Sequence, residues 1–292
     1  MIQVKHFFDK DTYTLTYVVY DAATKDALVI DPVLNFDAAS GHTWTNSIEE
    51  VISFVKKEDL KVYYVLETHA HADHLSGSQD LKKAFPNATL AIGERIKEVQ
   101  SVFKGIFNLH PSFKTDGSQF DKLLSDGETV KAGSIVIKTI FTPGHTPACA
   151  SYLIEDILFV GDAIFMPDYG TGRCDFPSGS AEALWDSIAS KIYKLPDSTR
   201  IFVGHDYQPG GRELKWQTTV GEEKAANIQL TASMSKESFV NMRKARDATL
   251  DAPRLLFPSV QVNIDAGRLP EPESNGLSFL KMPLNLGQRK PK

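Results

Sequence analysis

The segment His69-Ala70-His71-Ala72-Asp73-His74 constrains this chain more than any other. It gathers three of the eight histidines and an aspartate into six residues. An apolar run at residues 61–66, read as a short strand, delivers the chain straight into it. Imidazole and carboxylate are the usual protein ligands of zinc and non-haem iron. Residues two apart on an extended turn can point at one ion, and Asp73 and His74 then reach a second point nearby as the chain turns on. A solvent-facing polar turn would not concentrate histidine in this way, so the segment reads as metal-binding.

Three further polar clusters follow strands in the same manner. Residues 134–141 alternate as a strand and end at Thr142-Pro143-Gly144-His145-Thr146-Pro147, a tight turn that projects one imidazole. Residues 149–154 and 157–160 read as a strand pair ending at Gly161-Asp162, and residues 200–203 as a strand ending at Gly204-His205-Asp206-Tyr207. Strand ends in layered α/β proteins open onto one sheet edge, where sites are commonly built. Upstream, residues 14–20 and 27–31 read as a hairpin. A capping box at Ser47-Ile48-Glu49-Glu50 starts a helix whose Ile48, Val51, Ile52 and Val55 share one face. Residues 88–92 read as a strand, 94–103 as a helix, 107–124 as a loop and 180–195 as a helix. Residues 235–248 form a helix with a basic edge (Arg243, Lys244, Arg246), and the tail from Leu255 is proline-rich and reads as irregular. The division expected is a catalytic domain over residues 1–210 and a helical and irregular extension over 211–292 packed on it.

Composition narrows the class. A net charge of −5, without a long Lys/Arg block, disfavours nucleic acid as substrate. No run of about eighteen apolar residues predicts a membrane span. Two cysteines in 292 residues give no disulfide framework. With no signal-peptide pattern at Met1-Ile2-Gln3-Val4-Lys5-His6, a cytoplasmic location is expected. Cys149 and Cys174 offer a competing reading as a sulfur-responsive thiol protein, with Arg173 lowering the Cys174 pKa, but Cys149 sits in an apolar strand where an inert thiol is the default.

The order HxHxDH, then His145, Asp162 and His205, each at a strand end, resembles the metallo-β-lactamase superfamily, and Thr142-Pro143-Gly144-His145-Thr146 resembles its glyoxalase II and persulfide dioxygenase branch. The segment Gly172-Arg173-Cys174-Asp175-Phe176, the trio His205-Asp206-Tyr207 and residues 270–285 are similar to the persulfide dioxygenases, except that Cys174 stands where that family has Thr or Ala. The resemblance implies a four-layer αββα fold with a C-terminal extension. It implies one Fe(II) per chain on His69, His145 and Asp162, with His71, Asp73, His74 and His205 around them. In the glyoxalase II relatives, Asp73, His74 and His205 hold a second ion, bridged by Asp162. The ligand inventory does not by itself separate one Fe(II) from two Zn or mixed metals. The activity implied is oxidation of glutathione persulfide by O₂ to sulfite and glutathione; the alternative is hydrolysis of a glutathione thioester. Tyr207 and Asp73 are the expected catalytic side chains. Arg173, Tyr207 and Arg246 are the expected substrate contacts, with Arg212 and Arg243 as further cations for the cleft wall. Relatives are often dimers, so a homodimer is an expectation of the resemblance, and any sulfurtransferase partner is expected to be a separate chain.

Overall fold

The structure is a computed structural model that describes residues 1–286. Its first half runs β1 (Ile2–Asp9), β2 (Thr14–Asp21), β3 (Asp26–Ile30), β4 (Val33–Asp37), β5 (His42–Trp44), α1 (Asn46–Lys57) and β6 (Lys61–Glu67). It continues through β7 (Leu75–Ser76), α2 (Ser78–Ala84), β8 (Thr89–Gly93), α3 (Ile96–Ile106) and β9 (Lys122–Leu124). The second half comprises β10 (Thr129–Ala132), β11 (Ile135–Phe141), β12 (Ala150–Ile154), β13 (Ile157–Phe159), α4 (Ala181–Ser190), β14 (Arg200–Phe202) and β15 (Gln217–Thr219). Helices α5 (Val220–Ala226), α6 (Lys236–Asp247) and α7 (Leu256–Asn263) follow.

Two six-stranded sheets, ordered β1-β2-β3-β6-β8-β9 and β10-β11-β12-β13-β14-β15, are accompanied by a small third sheet, β5-β4-β7. Period-two alternation makes each large sheet two-faced. In β2, Leu15, Tyr17 and Val19 enter the core between the sheets, with Ile135, Tyr152 and Phe159 from the second sheet. Val18 points the other way, into a second core with Ile48, Val51 and Val55 of α1 and Val99 and Phe103 of α3. Beyond the second sheet lie Leu184 and Ile188 of α4 and Phe239 of α6. The result is the αββα layering expected. No helix among the described residues is long and apolar enough to cross a membrane.

The topology gathers strand ends at one rim. Strand β11 is antiparallel to β12, β12 to β13, and β13 is parallel to β14, so β11, β13 and β14 end on the same side. The first sheet meets them there: Leu15 N donates to Gly204 O (2.9 Å), and Ala150 N donates to Thr68 O (2.9 Å).

Several local expectations need correction. The N-cap of α1 is Thr45, whose hydroxyl bonds Glu49 at 2.6 Å, and not Ser47. Ser47 is drawn into tertiary bonds with Asp9 and Asn35, which displace the local capping pattern. The stretch read as a loop at 107–124 ends in β9, and β10 was not anticipated; both are short sheet additions, set by pairing with neighbours and carrying little local signal. The boundary expected at residue 210 falls before β15, which is a strand of the second sheet. The tail contains α7, buried over Pro258, Ser259, Val260, Gln261, Val262 and Asn263. A helix buried on every side, with polar residues among the apolar ones, has no amphipathic stripe to read. Arg243, assigned to a basic edge, is buried.

Candidate metal centre

His69, His145 and Asp162 come from the ends of β6, β11 and β13, and their ligand atoms lie within 4.8 Å of one another. Hydrogen bonds on the far side of each ring aim the imidazoles. His145 Nδ1 lies 2.7 Å from the Arg173 carbonyl oxygen, which fixes Nδ1 as the donor and turns Nε2 inward. His69 Nδ1 lies 3.0 Å from Thr68 Oγ1, and its buried Nε2 has no partner. His74 Nδ1 lies 3.0 Å from the Leu75 carbonyl oxygen, again leaving a buried Nε2 without one. Two glycines make room. A Cβ on Gly172 would lie 2.0 Å from the Asp162 carbonyl oxygen, and one on Gly144, at φ +147°, would lie 2.4 Å from the Leu184 Cα.

His71, Asp73 and His74 make a second group with ligand atoms within 4.8 Å of one another. His205 reaches both groups: its Nε2 lies 3.3 Å from Asp73 Oδ2 and 3.3 Å from Asp162 Oδ1. His71 is held from behind, its Nε2 3.0 Å from Asp31 and 3.7 Å from Glu67. Asp31 also accepts the Thr68 amide (2.7 Å) and hydroxyl (2.8 Å), and Glu67 accepts the hydroxyls of Ser76 and Ser78. Asp31 and Glu67 were missed in the sequence. Their signal was position alone, at the ends of the adjacent parallel strands β3 and β6.

The electrostatics leave neutral rings and an ionised carboxylate at the site. Burial, with the His71 charge nearby, pushes His69 well below the ordinary histidine range and His74 to about 4, so both present neutral rings. Burial would lower His71 too, but Asp31 and then Glu67 override it and raise it to about 10. Burial would raise Asp73, yet His205, His74 and His71 hold it down at about 2. Buried ring nitrogens without partners and a buried Asp162 oxygen without a hydrogen bond therefore face carboxylates across one small space. An orphaned buried polar atom costs free energy. A metal ion satisfies these atoms together, and the donor set of imidazole and carboxylate fits one.

A cavity of about 320 Å³ opens onto His145, Asp162 and Asp73. Tyr207 lines it, stacked on Tyr169 at 4.7 Å and edge-on to Phe165 at 5.9 Å. Burial, reinforced by Asp162 and Asp73, holds the Tyr207 hydroxyl well above the usual phenol range, so it keeps its proton. Arg173 lines the cavity as expected but is already committed, forked on Asp175 (2.6 and 2.7 Å) with a third bond to the Asp251 carbonyl (2.8 Å). Arg212 pairs with Asp168 and Asp206 outside the cavity lining. Arg243 is braced by Asp247 (2.6 Å) and Gln229 (2.8 Å). Asp247 in turn accepts the Cys174 amide at 2.8 Å, so α6 grips the loop whose Arg173 carbonyl orients His145. Arg246 and Arg254 line the cavity with exposed guanidiniums that pair with no carboxylate among the described residues. Arg254 was not foreseen, since it sits in a stretch with no periodic pattern. Cys149 and Cys174 are buried, and burial pushes the Cys149 thiol up to about 12 and raises Cys174 as well. Neither is a poised nucleophile.

The arrangement defines a metalloprotein with its site at the rim between two sheets. A family model described as "Metallo-beta-lactamase superfamily" matches residues 10–205, and the chain belongs to that superfamily. It is 49% identical over 284 residues to "Glyoxylase B2" of Dictyostelium discoideum, covering 97% of each chain. It is 30% identical over 268 residues to "Persulfide dioxygenase ETHE1, mitochondrial" of Bos taurus, covering 91% of this chain and 89% of that one. Among solved structures, that of ETHE1 from Myxococcus xanthus superposes with a TM-score of 0.73 at 30% identity, covering 91% of this chain and all of that one.

Proposed function

We propose that this chain is a persulfide dioxygenase, converting glutathione persulfide, O₂ and water into glutathione and sulfurous acid, which ionises to sulfite. The observation that carries the reading is the group His69, His145 and Asp162: two imidazoles and one carboxylate, of which His145 and Asp162 line an open cavity. That donor set is the facial arrangement suited to Fe(II) in O₂ chemistry. These three residues would hold Fe(II), which would supply the redox chemistry for oxidation of the outer sulfur by O₂.

The remaining roles belong to the protein. Tyr207, still protonated and fixed among aromatic rings, offers a hydrogen bond to the reacting end of the substrate. Asp73, ionised beside His205, anchors that ring. Arg246 and Arg254 at the cavity wall suit the two carboxylates of glutathione, because a guanidinium not already paired is free to bind an incoming anion. Arg173, spent on Asp175, braces the loop.

A second reading, hydrolysis of a glutathione thioester at two metals, draws on the group His71, Asp73 and His74 and on the relative named "Glyoxylase B2". In that reading His71, Asp73, His74 and His205 would hold a second ion, and the pair of ions would supply an activated water for thioester hydrolysis. The two readings divide on one assay. Iron-loaded protein given glutathione persulfide consumes O₂ under the first, and given a glutathione thioester releases free thiol under the second.

A further inference from the structure

We propose that Asn263, at the C-terminal end of α7, is a positioning residue for the metal centre: it fixes the backbone from which His71, Asp73 and His74 project. Residues 68–74 belong to neither helix nor strand, so their placement depends on bonds brought from elsewhere. Asn263 brings three. Its Nδ2 donates to the His71 carbonyl at 2.9 Å and to the His74 carbonyl at 2.8 Å. Its Oδ1 accepts the Ser76 amide at 2.8 Å. A side-chain amide has two N–H donors and one acceptor oxygen, and here all are spent on residues 71–76, the loop and β7. The residue is buried, so bulk solvent does not reach it to replace those bonds.

The support behind Asn263 is itself fixed. Val260 and Ile264 share a core with Ala70 and Ala72 of the ligand segment, while Val262 packs with Leu75 and Leu34. Gln100 donates to the Ile264 carbonyl at 2.9 Å and Gln79 to the Ala266 carbonyl at 2.7 Å, tying the end of α7 to α3 and α2. The family match ends at residue 205, so this strut is supplied by the chain beyond it. The bonds act on carbonyl and amide groups on either side of Asp73, setting where the imidazoles and the carboxylate stand. They touch no reacting atom. The inference rests on the metal centre and not on which reaction it serves.

The test measures metal affinity in the full-length chain, by chelator competition with Zn(II) and by the absorption spectrum of Co(II)-loaded protein. Asn263→Ala removes all three bonds. Asn263→Asp keeps the volume and the acceptor for Ser76 but has no N–H for the two carbonyls. Val55→Ala, a packing loss on α1 away from this strut, serves as the control. Both Asn263 variants are expected to lose about 10- to 100-fold in metal affinity with an altered Co(II) spectrum, and Val55→Ala to stay within about twofold despite a lower metal-free Tm. Three results would overturn the proposal. One is affinity and spectrum unchanged in both Asn263 variants. Another is an equal loss of affinity in Val55→Ala. The last is failure of both Asn263 variants to fold without metal, which would assign Asn263 to the fold alone.

Discussion

At the scale of single residues, the division between ligands, anchors and braces makes separable predictions. Arg246→Ala and Arg254→Ala each remove an exposed guanidinium that forms no salt bridge among the described residues. Each is expected to raise KM for glutathione persulfide about tenfold or more, the worth of a charge-assisted hydrogen bond, with kcat little changed. Arg173→Ala should behave differently. It frees Asp175 and the Asp251 carbonyl, loosening the loop that orients His145, so metal content should fall along with turnover. Tyr207→Phe is expected to keep its metal and lose at least about tenfold in kcat, as for a lost hydrogen bond to the reacting group. Steady-state kinetics with metal counted on each sample checks all four variants, and an unchanged kcat in Tyr207→Phe would reduce that residue to packing. Much of this scale was legible in the sequence, because histidine is scarce in the chain and its clusters sit where strands stop. What could not be read was pairing. Whether Arg173 or Arg254 is free depends on where Asp175 and the Asp251 carbonyl fall in space, and no local pattern encodes that.

At the scale of elements, backbone fit controls the ligands. Gly172→Ala would press a Cβ to 2.0 Å from the Asp162 carbonyl oxygen and 3.4 Å from the His145 Cβ. The loop must shift, so this variant is expected to fold yet retain little metal, measured by elemental analysis after gel filtration. Helix α5 carries a second consequence. Burial raises Glu223 to about 8, with an Asn227 hydrogen bond (2.7 Å) only partly offsetting it. The folded state therefore holds a proton that the unfolded chain releases near about 4.5. The stability this contributes is full below that value and is lost as pH rises through about 8. Glu223→Gln should flatten the decline of Tm between about pH 5 and 9, and a Tm profile parallel to wild type would contradict the assignment. Periodic elements such as α1 and α4 were legible because their apolar faces repeat. The strands β9, β10 and β15 and the helix α7 were not. The strands are three or four residues long and exist because a neighbour pairs with them, and α7 is buried on every side.

At the scale of the whole molecule, the metal centre draws on both sheets and on the C-terminal extension. His69 comes from the first sheet, His145, Asp162 and His205 from the second, while Asn263 and Asp247 act from α7 and α6. Residues beyond 210 are thus part of the support for the site. Binding at such a junction should stabilise the entire fold. A metal held at a thousandfold excess over its Kd is worth about 4 kcal/mol, on the order of 10 °C in Tm for a chain of this size. Chelation should lower Tm by that order, read by calorimetry before and after metal is restored, and equal Tm values would separate the site from the fold. The central claim is the reaction, and the most direct measurement is O₂ uptake by anaerobically iron-loaded protein on addition of glutathione persulfide, with metal counted on the same sample. One iron per chain, with O₂ consumed and sulfite formed in equal amounts, is the result predicted. No O₂ uptake, two metals per chain and thiol release from a glutathione thioester would contradict it.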